Sequence, residues 1–273
     1  MSDTTQKGSL IGQGRTAEIF EWGGEHILKL YRNFMPESVC RQEFEWALRV
    51  NEHVKVAPEP IEMIHIDGRF GAVYERLHGE TMLALLLENK QSLNQYAKML
   101  AKYHADLHRI VDIEGVTVKD KLSEEIRRAS AISPEEKNEV LNHLKALPEG
   151  KSICHFDFHP DNIMVADGCC RVMDWVTACI GDPNADVART RLLLIYAEPP
   201  DGHPSSGVAE RIFRRLLWIA YSGEYRKLTG AKSADIRRWE IPVEAARLCE
   251  GVPETEKRKV YARLKKQLHR SNP

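Results

Sequence analysis

The sequence HFDFHPDN at residues 155–162, followed by VMDW at residues 172–175, decides which fold and which chemistry we expect. The first motif has the form HxDxxxxN, and Asp174 follows Asn162 by twelve residues. Both motifs lie in a short passage, residues 153–175, that is irregular and strand-like and stands between segments of helical periodicity. This passage carries most of the polar chemistry of the sequence.

Transfer of a phosphoryl group explains why these residue types occur together. A carboxylate must orient the attacking hydroxyl and accept its proton, while oxygen ligands hold Mg²⁺ against the phosphates. We expect Asp157 to take the first role, and Asn162 and Asp174 to take the second. Because asparagine carries no charge, this pair would hold the metal without placing a second full negative charge beside the phosphate.

Two glycines belong to a second motif, GQGRTAEI at residues 12–19, between the first two predicted strands. Glycine lets a turn approach phosphates closely and leaves backbone amides free to point at them, so Gly12 and Gly14 are candidate phosphate-binding residues. The same pattern is also typical of a plain hairpin turn. A dinucleotide-binding loop would need a helix directly after it, whereas a strand is predicted here.

A lysine and a glutamate form the third signal. Lys29 lies in the predicted strand 26–31, on the opposite face from the neighbouring leucines. In the predicted helix 36–51, Glu43 shares a face with apolar residues at helical spacing, whereas Glu45 lies on the solvated side. Glu43 is therefore expected to point inward, where a partner for a phosphate-binding lysine should be.

The periodicity of the sequence changes near Gly79. Before it, Gly23-Gly24 and Asp67-Gly68 are hairpin signals between short segments rich in β-forming residues, and the pattern predicts a five-stranded antiparallel sheet with one helix. The strands are expected at 9–12, 17–22, 26–31, 61–66 and 70–75. After Gly79 the period is helical, so we expect an α+β chain with two lobes: a nucleotide-binding lobe, 1–78, and a mainly helical catalytic and substrate-binding lobe, 79–273.

Two helices of the second lobe carry predicted start signals. Ser92 followed by Gln95 predicts a capping box, in which each side chain binds the other residue's backbone amide. Ser133, followed by a proline and by Glu136, predicts a second helix start by the same logic.

The order of these motifs resembles that of the protein-kinase-like fold: glycine loop, strand lysine, helix glutamate, HxDxxxxN and a metal-binding aspartate. Within this fold, HFDFHPDN, MDW and GDPNAD at residues 181–186 resemble the aminoglycoside phosphotransferases and the related choline- and homoserine-kinase-like enzymes. LAKYHADLH at residues 100–108 resembles the LxxLH helix of the same family. The resemblance covers residues 10–190, and its catalytic passage is highly specific.

The resemblance implies a small-molecule kinase that uses ATP, or GTP, with Mg²⁺ to phosphorylate a hydroxyl of a small molecule. Asp157 would be the catalytic base, and Asn162 and Asp174 the metal ligands. Lys29 would hold the α- and β-phosphates, braced by Glu43. The nucleotide base would receive backbone hydrogen bonds from residues Glu75 to Leu77, while His155 and Asp182 would support the catalytic loop.

The sequence departs from the kinase pattern at two places. Trp175-Val176 replaces the Phe-Gly of protein kinases, which argues against a flipping activation segment. Ala17 replaces the third glycine of the loop, and this substitution leaves closure of the loop over the phosphates open.

Two other functions are compatible with parts of the sequence. A nucleotide-binding pseudokinase would share the motifs without transferring phosphate, although no catalytic residue is visibly missing. A metal-dependent hydrolase could use the alternating His155, Asp157 and His159, with Asp161 nearby, as metal ligands. That hypothesis leaves Gly14 and Lys29 without a function.

The composition excludes several other classes of protein. Hydrophobic residues make up 42% and charged residues 29% of the chain, as in ordinary globular proteins, and the formal net charge of −1 gives no nucleic-acid footprint. No signal peptide and no membrane-spanning run is expected. The six cysteines include no CxxC pair, which favours reduced, packed thiols and a cytoplasmic location. The oligomeric state stays open.

The acceptor is the part of the function that the sequence leaves open. Aminoglycosides are polycations and would require clustered acids, yet residues 184–256 contain 11 acidic and 11 basic residues. The candidate acids are Asp186, Glu198, Asp201, Glu240 and Glu244. The loop 198–207 is expected either to border the acceptor pocket or to be a plain surface connection.

Overall fold

A computed structural model of the chain describes residues 7–109, 113–166, 169–198 and 207–271. The described residues pack into two compact units. Unit 1 contains the residues up to Leu85 together with Pro160–Ala178, and unit 2 contains Leu86–His159 and the residues from Cys179 onward. The predicted functional boundary between residues 78 and 79 stays a prediction.

Strands predominate in the first unit, and helices predominate in the second. The described strands are β1 (Lys7–Gln13), β2 (Ala17–Trp22), β3 (His26–Tyr31), β4 (Pro60–Ile66), β5 (Arg69–Glu75), β6 (Glu80–Thr81), β7 (Ser152–Cys154), β8 (Ile163–Ala166), β9 (Cys169–Val172) and β10 (Cys179–Gly181). The described helices are α1 (Glu37–His53), α2 (Met82–Glu88), α3 (Leu93–Leu107), α4 (Val118–Arg128), α5 (Pro134–Lys145), α6 (Pro183–Tyr196), α7 (Val208–Thr229), α8 (Ser233–Arg247) and α9 (Glu254–Ser271).

The main sheet of unit 1 has five strands in the order β1-β2-β3-β5-β4, and every neighbouring pair is antiparallel. This confirms the predicted antiparallel sheet. Both hairpin signals are confirmed as well. Asp67 and Gly68 form a two-residue turn with positive φ angles at both residues, and Gly23 and Gly24, also with positive φ, lie in a three-residue turn between β2 and β3.

The two faces of the sheet follow the alternation of side chains along β3. Leu28 and Leu30 lie in a buried cluster with Trp22 and Val73. The side chains between them point to the opposite face, which α1 covers. A smaller sheet of unit 1, in the order β6-β8-β9, carries the end of the HxDxxxxN motif and the start of VMDW.

Unit 2 is a set of helices packed in pairs around α6, most of whose residues are buried. α3 packs against α7, and α6 packs against both α7 and α8. The short strands β7 and β10 pair antiparallel and place Cys154 opposite Cys179. Ser133 and Glu136 form the predicted capping box at the start of α5.

The capping box predicted at Ser92 is wrong. Lys90–Ser92 form a 3-10 turn whose cap is Asn89, and Ser92 has no side-chain capping bond to α3. Its hydroxyl donates instead to the carbonyl oxygen of Asn89. The chain therefore enters α3 through a preceding turn, so the serine has turn-like backbone angles (φ −79°, ψ 2°) instead of the extended ones of an N-cap, and its hydroxyl points backward.

Most of the cysteines are packed, as the sequence predicts. All six cysteines are free thiols, and Cys40, Cys154, Cys170 and Cys179 are buried. Within the described ranges, each helix is too short or too polar to cross a lipid bilayer.

A glycine just before β7 makes a testable close contact. A Cβ atom on Gly150 would lie 2.2 Å from the backbone nitrogen of Asp182 and 2.2 Å from the carbonyl carbon of Gly181. Gly150→Ala should therefore lower the free energy of unfolding by roughly 2–3 kcal/mol, as overpacking does. The measurement is urea denaturation of the purified variant.

The matched control for this substitution is Gly223→Ala in α7. No atom lies within 4 Å of a Cβ built on Gly223, so alanine should raise the free energy of unfolding by about 0.5–1 kcal/mol through its helix propensity. Equal stability of the two variants would contradict the contact at Gly150.

Candidate active site

Unit 1 brings together three of the predicted site residues. The Nζ atom of Lys29 donates to Glu43 Oε1 at 2.8 Å and to Asp174 Oδ1 at 3.1 Å. The second carboxylate oxygen of Glu43 accepts a hydrogen bond from Tyr31. Glu43 thus lies on the buried face of α1, as its helical spacing predicts, and it fixes the lysine on the α1 side of the sheet.

The three charges differ in their exposure to solvent. The side chains of Lys29 and Glu43 are 14% and 4% exposed, whereas that of Asp174 is 41% exposed. Burial alone would lower the pKa of Lys29, but the negative charges of Glu43 and Asp174 outweigh burial and raise it. Lys29 is therefore a fixed cation, and Asp174 presents a carboxylate that solvent can reach.

The predicted metal ligands lie at the same end of one hairpin. Ile163 in β8 pairs with Val172 in β9, so Asn162 and Asp174 both stand just beyond the paired strands. The amide of Met173 donates to the carbonyl oxygen of Asn162 at 2.8 Å, which continues the ladder by one step. The backbone of Asp174 is left-handed, with φ of 63°, and turns its carboxylate out of the strand direction.

The donor chemistry of this hairpin end fits Mg²⁺. A carboxylate and a side-chain amide oxygen are hard oxygen ligands, and Mg²⁺ in phosphate-transfer sites commonly takes only one or two protein ligands of this kind. The next residue supports the position of Asp174, because the Trp175 indole is buried and donates to the carbonyl oxygen of Val172 at 2.8 Å. The Gln42 side chain of α1 donates to the carbonyl oxygen of Val176 at 3.3 Å.

The glycine motif forms the hairpin turn between β1 and β2. The amide of Gly14 donates to the carbonyl oxygen of Ala17 at 2.8 Å, and the Gly14 carbonyl oxygen accepts from the Arg32 guanidinium. Gly12 pairs with Ile19, which in turn pairs with Lys29, so Gly12 lies in one row with the lysine across three strands. Directly paired residues project to the same face of a sheet, so Gly12 lies on the face that carries the lysine.

Neither glycine of this motif is required by the fold. Both Gly12 and Gly14 lack a positive φ angle, and a Cβ atom on either would meet its nearest neighbour at 3.7 Å or 3.8 Å, an ordinary contact. A side chain as small as a methyl group would therefore fit at either position.

The predicted base-binding segment follows β5. Glu75 is the last residue of that strand, and its amide donates to the carbonyl oxygen of Glu59 at 2.9 Å. Leu77 lies in the stretch 76–78, which belongs to no strand or helix. Gly79 then packs so closely against β8 that a Cβ atom would lie 2.2 Å from the carbonyl oxygen of Val165.

The predicted catalytic base belongs to unit 2, in the turn that follows β7. Phe156 has a left-handed backbone with φ of 63°, which is strained for a bulky residue. Asp157 comes next, its side chain 26% exposed, with Oδ2 3.5 Å from the Nε2 atom of His159. His155 is buried, and its Nδ1 atom accepts a hydrogen bond from the Asp157 amide at 3.2 Å.

The electrostatic surroundings keep Asp157 ionised. Burial would raise the pKa of this carboxyl, but the hydrogen bond and charge of His159, together with the charge of Arg189, outweigh burial and lower the pKa below its usual range. An ionised carboxylate that solvent can reach is the form that a general base requires.

Three side chains of α6 hold this turn, and sequence reasoning did not identify their role. Asp186 accepts from the amides of His155 and Phe156 at 2.6 Å and 3.0 Å. One turn later, Arg189 donates to the Phe156 carbonyl oxygen at 3.1 Å and Thr190 donates to the Phe158 carbonyl oxygen at 2.9 Å. Residues 186, 189 and 190 have helical spacing, and this pattern could have indicated that their side chains share one face of a helix.

Asp186 also lies between two buried histidines. The Nε2 atoms of His104 and His108 are 3.1 Å and 3.3 Å from its Oδ2 atom, and each ring's Nδ1 atom contacts a tyrosine hydroxyl, Tyr221 at 2.6 Å or Tyr225 at 2.7 Å. In the tautomer that protonates Nε2, the His108 ring donates to the carboxylate. The Nε2 atom of His104 lies as near to the same oxygen but outside hydrogen-bond geometry. Three donors, two amides and one imidazole, therefore bind this buried negative charge.

The hydrolase alternative finds no support in these positions. Across the described stretches of chain, the group of three possible ligands whose donor atoms lie within 4.8 Å of one another is His104, His108 and Asp186. His155 instead accepts its own loop's amide, so the alternation at 155, 157 and 159 does not form such a group.

The acids proposed as contacts for a polycation are committed to other partners. Asp186 is fully buried, which corrects the expectation that it faces a substrate. Glu240 pairs with Arg191 and Arg263, and Glu244 pairs with Arg263. Glu198 pairs with Lys259. Asp201 and residues 199–206 of the predicted loop lie outside the described residues.

The antiparallel sheet with its lysine–glutamate pair and the residues of the HxDxxxxN motif are those of a kinase-like phosphotransferase fold. Residues 9–228 match the APH family, described as the phosphotransferase enzyme family, and the chain belongs to this family. Comparison with curated protein sequences gives no match.

Solved structures share this fold at low sequence identity. An aminoglycoside-3'-phosphotransferase of type VIII aligns with a TM-score of 0.62 and 15% identity, over 89% of this chain and 93% of that chain. A choline/ethanolamine kinase family protein from Mesorhizobium loti gives 0.60 and 15%, over 97% and 88%. The streptomycin–ATP ternary complex of APH(2")-IIa gives 0.56 and 16%, over 97% and 92%.

The buried histidine network predicts a dependence of stability on pH. Burial lowers the pKa of His104 to about 4, with the charge of His108 acting in the same direction and Asp186 opposing both. Between pH 6.5 and about 4 the unfolded chain binds a proton at His104 that the folded chain does not, so stability should fall as the pH falls. The loss should reach up to about 3 kcal/mol, since one pKa unit is about 1.4 kcal/mol.

The measurement is urea denaturation between pH 7.5 and 4.5 for the wild-type chain and for His104→Gln. The variant should be less stable at neutral pH but should show a flatter pH dependence, because the buried titrating ring is gone. A slope identical to that of the wild-type chain would contradict a neutral, buried His104.

Proposed function

We propose that the chain is an ATP- and Mg²⁺-dependent kinase that transfers the γ-phosphoryl group of the nucleotide to a hydroxyl of a small molecule. The observation that carries this proposal is the placement of Lys29 between Glu43 and Asp174, because it combines a buried, fixed cation with a solvent-accessible carboxylate beside it. Kinase-type phosphoryl transfer uses a cation of this kind for phosphate and a carboxylate of this kind for the metal.

Each residue has a defined part in the proposed reaction. Lys29 binds the α- and β-phosphates, and Glu43 holds its ammonium group in place. Asp157 accepts the proton of the acceptor hydroxyl as the new oxygen–phosphorus bond forms and the bond to the leaving ADP breaks. Asn162 and Asp174 would hold Mg²⁺, which neutralises charge on the phosphates when bound.

The nucleotide would lie over the β1–β2 turn and reach the segment after β5. The lack of side chains at Gly12 and Gly14 supports close approach of phosphates. The segment Glu75 to Leu77, where the chain leaves β5, is proposed to give backbone hydrogen bonds to the base. The APH(2")-IIa complex contains ATP, and we propose ATP for this chain, with GTP as the alternative donor.

We further propose that the acceptor carries fewer positive charges than an aminoglycoside. The four described acids that were candidates for binding a polycation are either buried in the loop-holding network or paired with arginine and lysine. All four carboxylates are themselves buried, so a polycation could reach one of them only by breaking its present contacts, which is costly. A hydroxylated small molecule with one amino group or none fits this charge distribution better.

Substituting the two proposed site aspartates separates catalysis from nucleotide binding. Asp157→Asn should reduce phosphate transfer at least a hundredfold, because the general base is lost, and should change nucleotide affinity less than about twofold. Asp174→Asn should instead abolish the Mg²⁺-dependent part of nucleotide affinity. Calorimetric titration with ATP and GTP, with and without Mg²⁺, gives the affinities.

Turnover can be measured before the acceptor is identified, as slow Mg²⁺-dependent hydrolysis of the nucleotide by water. A transfer screen over aminoglycosides, amino alcohols, sugars and nucleosides then defines the acceptor. Wild-type turnover in both aspartate variants would refute the proposed mechanism. Mg²⁺-dependent binding without any turnover would identify a pseudokinase instead.

The glycine motif gives an independent test of the phosphate site. Gly12→Ala and Gly14→Ala should each change the free energy of unfolding by less than about 1 kcal/mol, because the added Cβ atoms make ordinary contacts. Both should weaken ATP binding about fivefold or more, because the methyl group occupies the space proposed for phosphate. Gly223→Ala in α7 is the control for a remote glycine, and equal ATP affinity in all three variants would rule out this role.

A further inference from the structure

The turn before Asp157 is held at both ends of one strained residue. Phe156 adopts φ of 63°, and its amide donates to Asp186 while its carbonyl oxygen accepts from Arg189. A left-handed bulky residue persists only where its surroundings over-determine it. These two α6 side chains therefore fix the peptide plane that leads directly into Asp157.

Arg189 is itself fixed by a partner from another part of unit 2. The side chain is 7% exposed, and its Nη1 atom lies 2.7 Å from Glu250 Oε1, just after α8. Glu250 also pairs with Arg247, which pairs with Glu256 at 2.7 Å. A chain of alternating charges thus links the Phe156 carbonyl to the start of α9.

A buried arginine with this geometry can act on the turn in two ways. First, the guanidinium group is planar, so the contact of Nη1 with Glu250 fixes the direction of the Nε–H bond, which points at the Phe156 carbonyl oxygen. Its positive charge also favours the ionised form of the carboxylate that follows, and it contributes to the lowered pKa of Asp157. A lysine could supply the charge but not the planar, two-point hydrogen bonding.

We propose that Arg189, held by Glu250, is a positioning residue for Asp157: it fixes the left-handed turn at Phe156 and so aims the carboxylate at the acceptor hydroxyl. This proposal rests on the proposed function, because it assigns a role relative to the catalytic base. It differs from a purely structural role in its effect on catalysis, since misplacement of a base lowers the rate of the chemical step more than substrate binding.

The test compares Arg189→Met with Arg189→Lys and Glu250→Gln, using Mg²⁺-dependent nucleotide hydrolysis so that no acceptor has to be known. Arg189→Met should lower kcat roughly tenfold to a hundredfold, with the nucleotide KM changed less than about twofold. Its acidic limb in the pH–rate profile should move to higher pH, because Asp157 loses a nearby cation. Arg189→Lys should restore the position of that limb but only part of kcat. Glu250→Gln keeps the cation, so its kcat alone should fall between those of wild type and Arg189→Met.

The matched control is Arg214→Met. Arg214 also donates to backbone carbonyls of unit 2, those of Leu193, Leu194 and Ala197 at the far end of α6. Its loss should lower the melting temperature while leaving kcat within about twofold and the acidic limb in place.

The outcomes separate the two proposals. If the wild-type chain hydrolyses nucleotide and Asp157→Asn does not, but Arg189→Met keeps wild-type kcat and pH profile, the positioning role is overturned and the proposed function stands. If Arg189→Met does not fold, an unchanged kcat in both Arg189→Lys and Glu250→Gln overturns the role. If the wild-type chain and Asp157→Asn are equally inactive, both proposals fall together.

Discussion

The buried carboxylate of Asp186 is the constraint on which the helical unit depends. An isolated charge in a protein interior is very costly, and here two backbone amides and one imidazole ring offset that cost. These contacts form only if α3, α6 and the turn after β7 keep their positions. One negative charge therefore connects the backbone of the HxDxxxxN motif to the helices. The position of Asp157, which is partly exposed, is set through Asp186, which is fully buried.

The sheet unit solves the opposite electrostatic problem. Its central charge is a cation, Lys29, which is kept in place by a buried acid and a half-exposed one. Membership of the phosphotransferase enzyme family and the fold shared with aminoglycoside phosphotransferases and a choline/ethanolamine kinase family protein agree with this arrangement. The same fold serves several acceptors, so the acceptor must be inferred from the side chains of this chain.

The parts of the structure that sequence could predict are those set by local signals. Turn glycines located the hairpins, and helical spacing identified Glu43 as buried, because both depend on neighbours a few residues away. Asp186 was predicted to be a candidate for substrate contact, and its structural role was missed. Its partners lie about 30 and about 80 residues earlier in the chain, and only the folded state brings them together. The capping box predicted at Ser92 was wrong for the opposite reason. Its motif is local, but the preceding 3-10 turn gives the serine a different backbone conformation.

Unit 1 is built from two stretches of chain separated by 74 residues of unit 2. A fragment that stops at residue 85 would contain Lys29 and Glu43 but neither Asn162 nor Asp174, and its β6 would lack β8 as a partner. During synthesis, completion of the sheet unit must therefore wait until residue 178 has emerged, after every residue from 86 to 159. The unit whose synthesis begins first is thus finished late, and β6 has no partner strand in the interval.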